Sequence, residues 1–421
     1  MQITVLGAGV AGLAVATALA QAGRAVRVLE QADAIREVGA GLQISPNGAV
    51  VLRALGVSVP ATRADAVVLL NGADGRRVLR LDLARLRPHQ EYLFAHRADL
   101  IAALRTAAVA AGAEIALNRK VLTVDLGGRR PRLTTDQGEE TPDLLIGADG
   151  VHSLTRAALN GAETPFFTGQ VAWRALIPCP PDASNEAEVF MGPGRHLVSY
   201  PLRGGTVRNI VAVEERATWT QESWSLRDDP TDLRRAFEAF DPKVRHWLDL
   251  VEDVGLWGLF RHKVADLWGR ALPRGGAVIL GDAVHPTLPF LAQGASMALE
   301  DAFVLARVLA GVQDPGPPQS LTAPAFRDLA SDPTATFADD PARDLAALAY
   351  PDLTSALAVY QSLRQSRVTR IVKAADANAR AYHLREPLRA FAHLGLRISG
   401  RLAPGFALSR FDWLYGHDVT V

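Results

Sequence analysis

Cysteine is almost absent from these 421 residues: Cys179 stands alone. No intramolecular disulfide and no CxxC redox pair can form, and Cys179 reads as a small buried hydrophobe. Net charge is absent as well. The chain balances 45 basic against 45 acidic side chains, so no global field draws it to nucleic acid or to an anionic membrane. Long apolar runs are missing too, because Gly, Arg or Asp interrupts each one before the ~18 residues that cross a bilayer. The opening MQITVLG has no basic region ahead of an apolar run. No signal peptide is therefore expected, and the expected compartment is the cytoplasm.

What is present is ordinary globular material, 48% apolar and 21% charged, in a chain long enough for two packed domains. Residues 2–6 read as a short strand, Leu13 to Ala22 as a helix and Ala25 to Leu29 as a second strand, a βαβ opening. Leu100 to Ala111 has helical spacing, with Asp99 expected as its N-cap. The runs DLLIG (143–147) and AVILG (277–281) look like strands buried on both faces of a parallel sheet. Between them, 171–178, 188–192, 196–202 and 207–213 alternate as antiparallel strands do. The expectation is an α/β protein whose first domain (1–165, resumed at 271–310) is interrupted by a mostly antiparallel β domain (166–270). A Pro- and Asp-rich irregular insertion (311–354) and a helical C-terminal region (355–421) follow.

The glycines after the first strand carry the first chemical signal. Gly7 suits a tight turn, Gly9 the close approach of a pyrophosphate, and Gly12 the packing of helix on strand. The helix N-terminus then presents free N–H groups to phosphate. Glu30, at the end of the second strand, is placed to accept from ribose hydroxyls. The motif alone does not choose between FAD and NAD.

Three further segments complete a set: YLFAHRADL (92–100), GADG (147–150) and GDAVHP (281–286). With the glycine motif they resemble the single-component flavoprotein aromatic hydroxylases of the p-hydroxybenzoate hydroxylase fold. EVGAGLQISPN (37–47) and GDAVHPTLPFLAQGASMALEDA (281–302) resemble most of all the salicylate hydroxylase, 3-hydroxybenzoate 6-hydroxylase and 6-hydroxynicotinate monooxygenase branch. The resemblance implies a Rossmann-like FAD-binding domain, a substrate-binding β domain, C-terminal helices and a possible homodimer. It implies FAD as cofactor, NADH or NADPH as co-substrate, O2, a small aromatic substrate, and oxygen transfer through a flavin hydroperoxide. No metal is assigned.

Residue by residue, the resemblance places Arg97 on the flavin side chain, Arg36 near the adenosine half and Val121 where a backbone group meets the adenine. Asp149 falls in the motif shared by the pyrophosphate region and the nicotinamide route, and Asp282 on the ribityl hydroxyls. Gly294 and Ala295 fall where backbone N–H groups approach the flavin pyrimidine. A helix starting near Gln293 would aim its positive end at that ring, and Pro286 and Pro289 would stiffen the loop beside it.

An electrophilic oxygen donor reacts better with a phenolate than with a phenol, so a base near neutral pKa is expected. His196 and Tyr200 lie four apart on one strand, on one face with Val198 between them. His196 is either that base or an ordinary half-buried strand histidine. His285 is the second candidate, and Pro289 and Phe290 are expected to bound the ring pocket. A flavin halogenase is disfavoured, because the run Trp173-Arg-Ala-Leu-Ile-Pro178 has Ala175 where a second tryptophan belongs. A hydroxylase of quinone precursors and a non-catalytic flavin-binding protein remain the alternatives.

Overall fold

The computed structural model describes residues 1–34, 41–180, 182–219, 227–312 and 350–421. Arg36 and most of the 311–354 insertion lie outside them. The continuous apolar strands do what such strands must, which is to bury both faces. Ile3–Leu6, Val26–Leu29 and Leu144–Gly147 sit inside a six-stranded sheet with Glu114–Ala116 at one edge. Gly275–Ile279 and Gly269–Leu272 complete the other edge as an antiparallel hairpin on an otherwise parallel sheet. Val10–Gln21 and Gly294–Ala310 pack together against this sheet.

The alternating strands form a second sheet of eight, ordered Arg227–Asp228, Val254–Arg261, Phe166–Pro178, Val207–Glu215, Arg195–Leu202, Glu186–Gly192, Ala66–Asn71 and Arg77–Asp82. The last two strands come from well before residue 166. Ala66–Asn71 reaches Glu186–Gly192 in parallel, and that long-range pairing has no local signature. Period-two alternation gives the sheet two apolar faces. Trp173, Phe190, Leu197 and Ala212 cover Leu233, Val244, Trp247 and Leu248 of the helices Pro230–Ala236 and Pro242–Asp249. Ala172, Val211, Val213 and Trp257 instead face Leu288 and Phe290, which arrive from the loop after Gly275–Ile279. The second face is the one that matters for function, because it lies against the loop leading into Gly294–Ala310.

Several element ends differ from expectation, and so does one helix cap. Asp99 does not cap the helix Arg97–Ala110. The strand Leu93–His96 turns directly into it, and the His96 imidazole accepts from the Ala98 N–H at 3.2 Å. With no loop between strand and helix the cap falls three residues earlier. Asp99 sits in the first turn and pairs with Arg203 at 3.0 Å. The C-terminal helices Leu353–Tyr382 and Leu388–Leu402 form where expected.

Candidate active site and cofactor cradle

The glycines behave as their spacing demands. Gly7 has φ +94°, a conformation that L side chains rarely adopt, and a Cβ there would meet the Ala148 carbonyl oxygen at 2.6 Å. A Cβ on Gly12 would stand 1.9 Å from the Gly7 carbonyl, so helix and turn can touch only without it. Gly9 differs, since a Cβ there would meet nothing within 4 Å. It caps Val10–Gln21, where the first backbone N–H groups of the helix have no side-chain cap. Glu30 closes this cradle. Its carboxylate accepts from Ala8 N–H at 2.8 Å and Ala32 N–H at 3.0 Å. The Arg119 N–H donates to the Glu30 carbonyl at 2.9 Å, bringing the start of the strand Val121–Asp125 alongside.

Asp149 lies beside the same turn, since Gly7 abuts Ala148 and Asp149. Its carboxylate accepts from the Ser153 hydroxyl and from Thr155 N–H, at the start of Leu154–Asn160. Burial raises its pKa and these bonds oppose the rise. Asp282 is accessible yet crowded by protein. Desolvation raises its carboxyl, while His285 and Arg97 draw it back.

From Gly281 to Gln293 the loop rests on a buried ionic network. His285 Nε2 bonds the Asp301 carboxylate, which also accepts from the Gly281 N–H at 3.1 Å and from Arg364 Nε at 2.8 Å. Next to it Glu300 takes Arg364 at 2.6 Å, Arg367 at 2.8 Å and the Asn47 amide at 2.6 Å. Asn47 donates to Gln293, and Gln293 to Ser45, tying the helix cap into the same network. Burial pushes both acids up, but His285 and Arg364 at Asp301, and Arg364 with Arg367 at Glu300, hold each at about 2. Among the described residues, His285 Nδ1 and Thr287 Oγ1 are buried without a hydrogen-bond partner. Ala292 is left-handed at φ +55°, which sets the loop's entry into the helix beginning at Gly294 and Ala295.

Across from this loop stands the β-sheet face. His196 is 1% exposed and meets the Phe290 ring edge-on at 5.1 Å between centroids. Pro289 opens the turn that presents Phe290. His196 Nδ1 lies 2.7 Å from His383 Nε2, and His383 Nδ1 lies 3.0 Å from the Glu215 carboxylate. Burial, and then His383, hold the His196 imidazole well below its usual pKa, so it is neutral at pH 7. Tyr200 shares the strand but has other company. It stacks on Phe94 at 5.0 Å, and burial raises its hydroxyl above the usual range.

The structure thus brings Gly7, Gly9, Gly12, Glu30 and Asp149 into one cluster, and Asp282, Arg97 and His285 into a second. A third joins His196 to Phe290. Sequence reasoning missed Glu300 and Asp301, although two acids inside the apolar run MALEDAFVLA signal a need for buried partners. It also missed His383 and Glu215, for which no local pattern exists.

The sequence matches the FAD binding domain family over residues 1–323. It is 38% identical to the 3-amino-4-hydroxybenzoate 2-monooxygenase of Streptomyces cremeus, over 76% of this chain and 80% of that protein. It is 30% identical to the 3-hydroxybenzoate 6-hydroxylase of Klebsiella oxytoca, over 99% and 96%. Identity to the 6-hydroxynicotinate 3-monooxygenase of Bordetella bronchiseptica is 34%, over 74% and 84%. Among solved structures, a salicylate hydroxylase substrate complex aligns with a TM-score of 0.73 at 20% identity, over 100% of this chain and 96% of that one. HpxO of Klebsiella pneumoniae, complexed with FAD and uric acid, also aligns at 0.73, with 22% identity over 96% and 95%. Through a match that spans most of its length, the chain belongs to the FAD binding domain family and stands among its FAD-dependent aromatic monooxygenases.

Proposed function

We propose that the protein hydroxylates an aromatic acid carrying a ring hydroxyl, of the hydroxybenzoate, aminohydroxybenzoate or hydroxynicotinate class, using NAD(P)H and O2. The substrates named for its relatives motivate the class. The observation that carries the reading is His196, a neutral buried imidazole set against Phe290 at the mouth of the loop that leads into Gly294.

The residues present suit FAD. Among the described residues, the clearance at Gly9, the N-terminus at Gly294 without a side-chain cap, and Thr287 Oγ1 and His285 Nδ1 without partners are what a dinucleotide with a polar ring would satisfy. Gly7, Gly9 and Gly12 would receive the pyrophosphate, with Asp149 beside them. Glu30 would take the ribose, and Val121 would lie by the adenosine. Arg97 and Asp282 would hold the flavin side chain, and Gly294 and Ala295 the ring edge. FAD bound there supplies reduction by NAD(P)H and activation of O2.

The protein's own contribution is position and proton control. Phe290 and Pro289 bound the ring pocket and exclude water. His196 Nε2, which makes no hydrogen bond among the described residues, accepts the proton of the ring hydroxyl. The phenolate so formed is the better partner for an electrophilic oxygen. Tyr200 orients the substrate, and His285 holds the loop through Asp301.

The test is a panel of 3-hydroxybenzoate, 3-amino-4-hydroxybenzoate and 6-hydroxynicotinate, each assayed with NADH and with NADPH. At least one should stimulate cofactor oxidation and yield a hydroxylated product by mass spectrometry. FAD, not FMN, should be released on denaturation. Stoichiometric FMN, or no stimulation by any ring acid, defeats the reading.

A further inference from the structure

We propose that His196, His383 and Glu215 form a proton relay, in which a surface carboxylate fixes the tautomer of two buried imidazoles and conducts the substrate's proton to solvent. The inference rests on His196 being the base described above. His383 and Glu215 act through it and are positioning residues.

The argument starts at the surface. Glu215, the last residue of Val207–Glu215, is exposed, and an ionised carboxylate can only accept hydrogen bonds. The 3.0 Å contact with His383 Nδ1 therefore requires a proton on that nitrogen. A neutral imidazole protonated at Nδ1 is bare at Nε2. The 2.7 Å contact between His383 Nε2 and His196 Nδ1 then requires the proton to sit on His196. His196 Nε2 is left bare, as a base must be. Reversing either ring would set two donors or two lone pairs against each other inside the protein, leaving buried polar atoms unpaired.

Both rings remain neutral for stated reasons. Burial lowers both; at His383 the Arg195 charge adds to it, and the bond to Glu215 opposes it. Arg385 lies 3.5 Å from the other Glu215 oxygen, at the solvent end. Tyr382 meets the His196 ring at 5.1 Å, but burial pushes its hydroxyl up to about 12 and it stays uncharged. The relay is held at both ends of its span. His383 caps the helix Leu353–Tyr382, and its carbonyl accepts from the Gly194 N–H in the hairpin before His196.

Proton bookkeeping closes. The ring O–H bond breaks and His196 Nε2–H forms. The His196 Nδ1 proton passes to His383 Nε2, the His383 Nδ1 proton to Glu215, and the Glu215 proton to water. Each imidazole gains one proton and loses one, so neither becomes a lasting buried cation. No electron moves along the chain. When the product oxygen takes a proton back, the same transfers run in reverse and restore the starting tautomers.

Two measurements on FAD-loaded enzyme decide it. Nitrogen-15 NMR of histidine-labelled protein should show His196 protonated at Nδ1 and bare at Nε2. Glu215→Gln should weaken that preference, because an amide can donate as well as accept. Product per NADH, taken with the three ring acids above, should fall about 10-fold in Glu215→Gln and about 100-fold in His383→Gln, with FAD occupancy kept. Raising the pH past the pKa of the ring hydroxyl should restore both variants, since a substrate already ionised needs no base; a merely structural defect would not recover. Full coupling in both variants, or a His196 protonated at Nε2, overturns the relay. If only His196→Gln uncouples, the base stands and the relay falls. If His196→Gln stays coupled or none of the acids is hydroxylated, the base reading itself fails and the relay's role fails with it.

Discussion

Two buried polar systems meet the loop from Gly281 to Gln293, one of ion pairs and one of neutral imidazoles, and they are built on different principles. In the first, Asp301 and Glu300 are met by Arg364, Arg367, His285 and Asn47, all buried or nearly so. Each carboxylate has several partners, so no proton has a reason to move. In the second, His196 and His383 share hydrogen bonds in a single file that ends at solvent. Dense pairing makes a support. A chain with one bare end makes a conduit.

The largest expected effect comes from breaking the support. Arg364→Met leaves Asp301 and Glu300 short of a buried cation, and such a loss typically costs ~3–5 kcal/mol. Denaturant unfolding should show it, together with loss of FAD retention. A variant as stable as the parent would mean that water or Arg367 already compensates both acids, and the contrast between the two systems would vanish.

Breaking the conduit should leave the fold alone. His196→Ala is expected to lower product per NADH by ~10²–10⁴-fold while FAD stays bound. Reduction should continue and peroxide should replace product. Tyr200→Phe should show the same defect in milder form. Equal loss of stability in His196→Ala and Arg364→Met would show that both systems are structural.

Acid separates the two with the smallest effect. Asp301 and Glu300 are held at about 2 in the folded state, below their unfolded values near 4. Their stabilisation is present above pH ~4 and is lost as pH falls from ~4 toward 2. His196 and His383 are also lowered when folded, so their stabilisation is full above their unfolded value near 6.5 and drains as pH falls below it. Chemical denaturation across pH 2–8 should therefore show an early decline that His196→Ala with His383→Ala removes, and a later one that it does not. A single decline below pH 4, unaltered in the double variant, would deny the histidines any linkage to folding.

Much of the cofactor side was legible because its causes are local. Gly7 and Gly12 are demanded by a turn and a helix contact that span only a few residues. The helix after Gln293 could likewise be read from its own period, and so could the face shared by His196, Val198 and Tyr200. The N-cap at His96 was misread because Asp99 is a good cap by type, and only the backbone shows that the strand turns three residues sooner. The pairing of Ala66–Asn71 with Glu186–Gly192 was invisible for a similar reason, since strand alternation specifies a face and not a neighbour.

By itself, then, the sequence determined the glycine turn after the first strand, the flanking strands and helices, and the family they belong to. Each rests on residues close together in the chain, where glycine sterics and hydrophobic period act directly. Tertiary structure alone decided that His196 meets His383, 187 positions away, and that Asp301 meets Arg364, 63 positions away. A buried polar side chain must find a partner, but the chain's path in space selects which one.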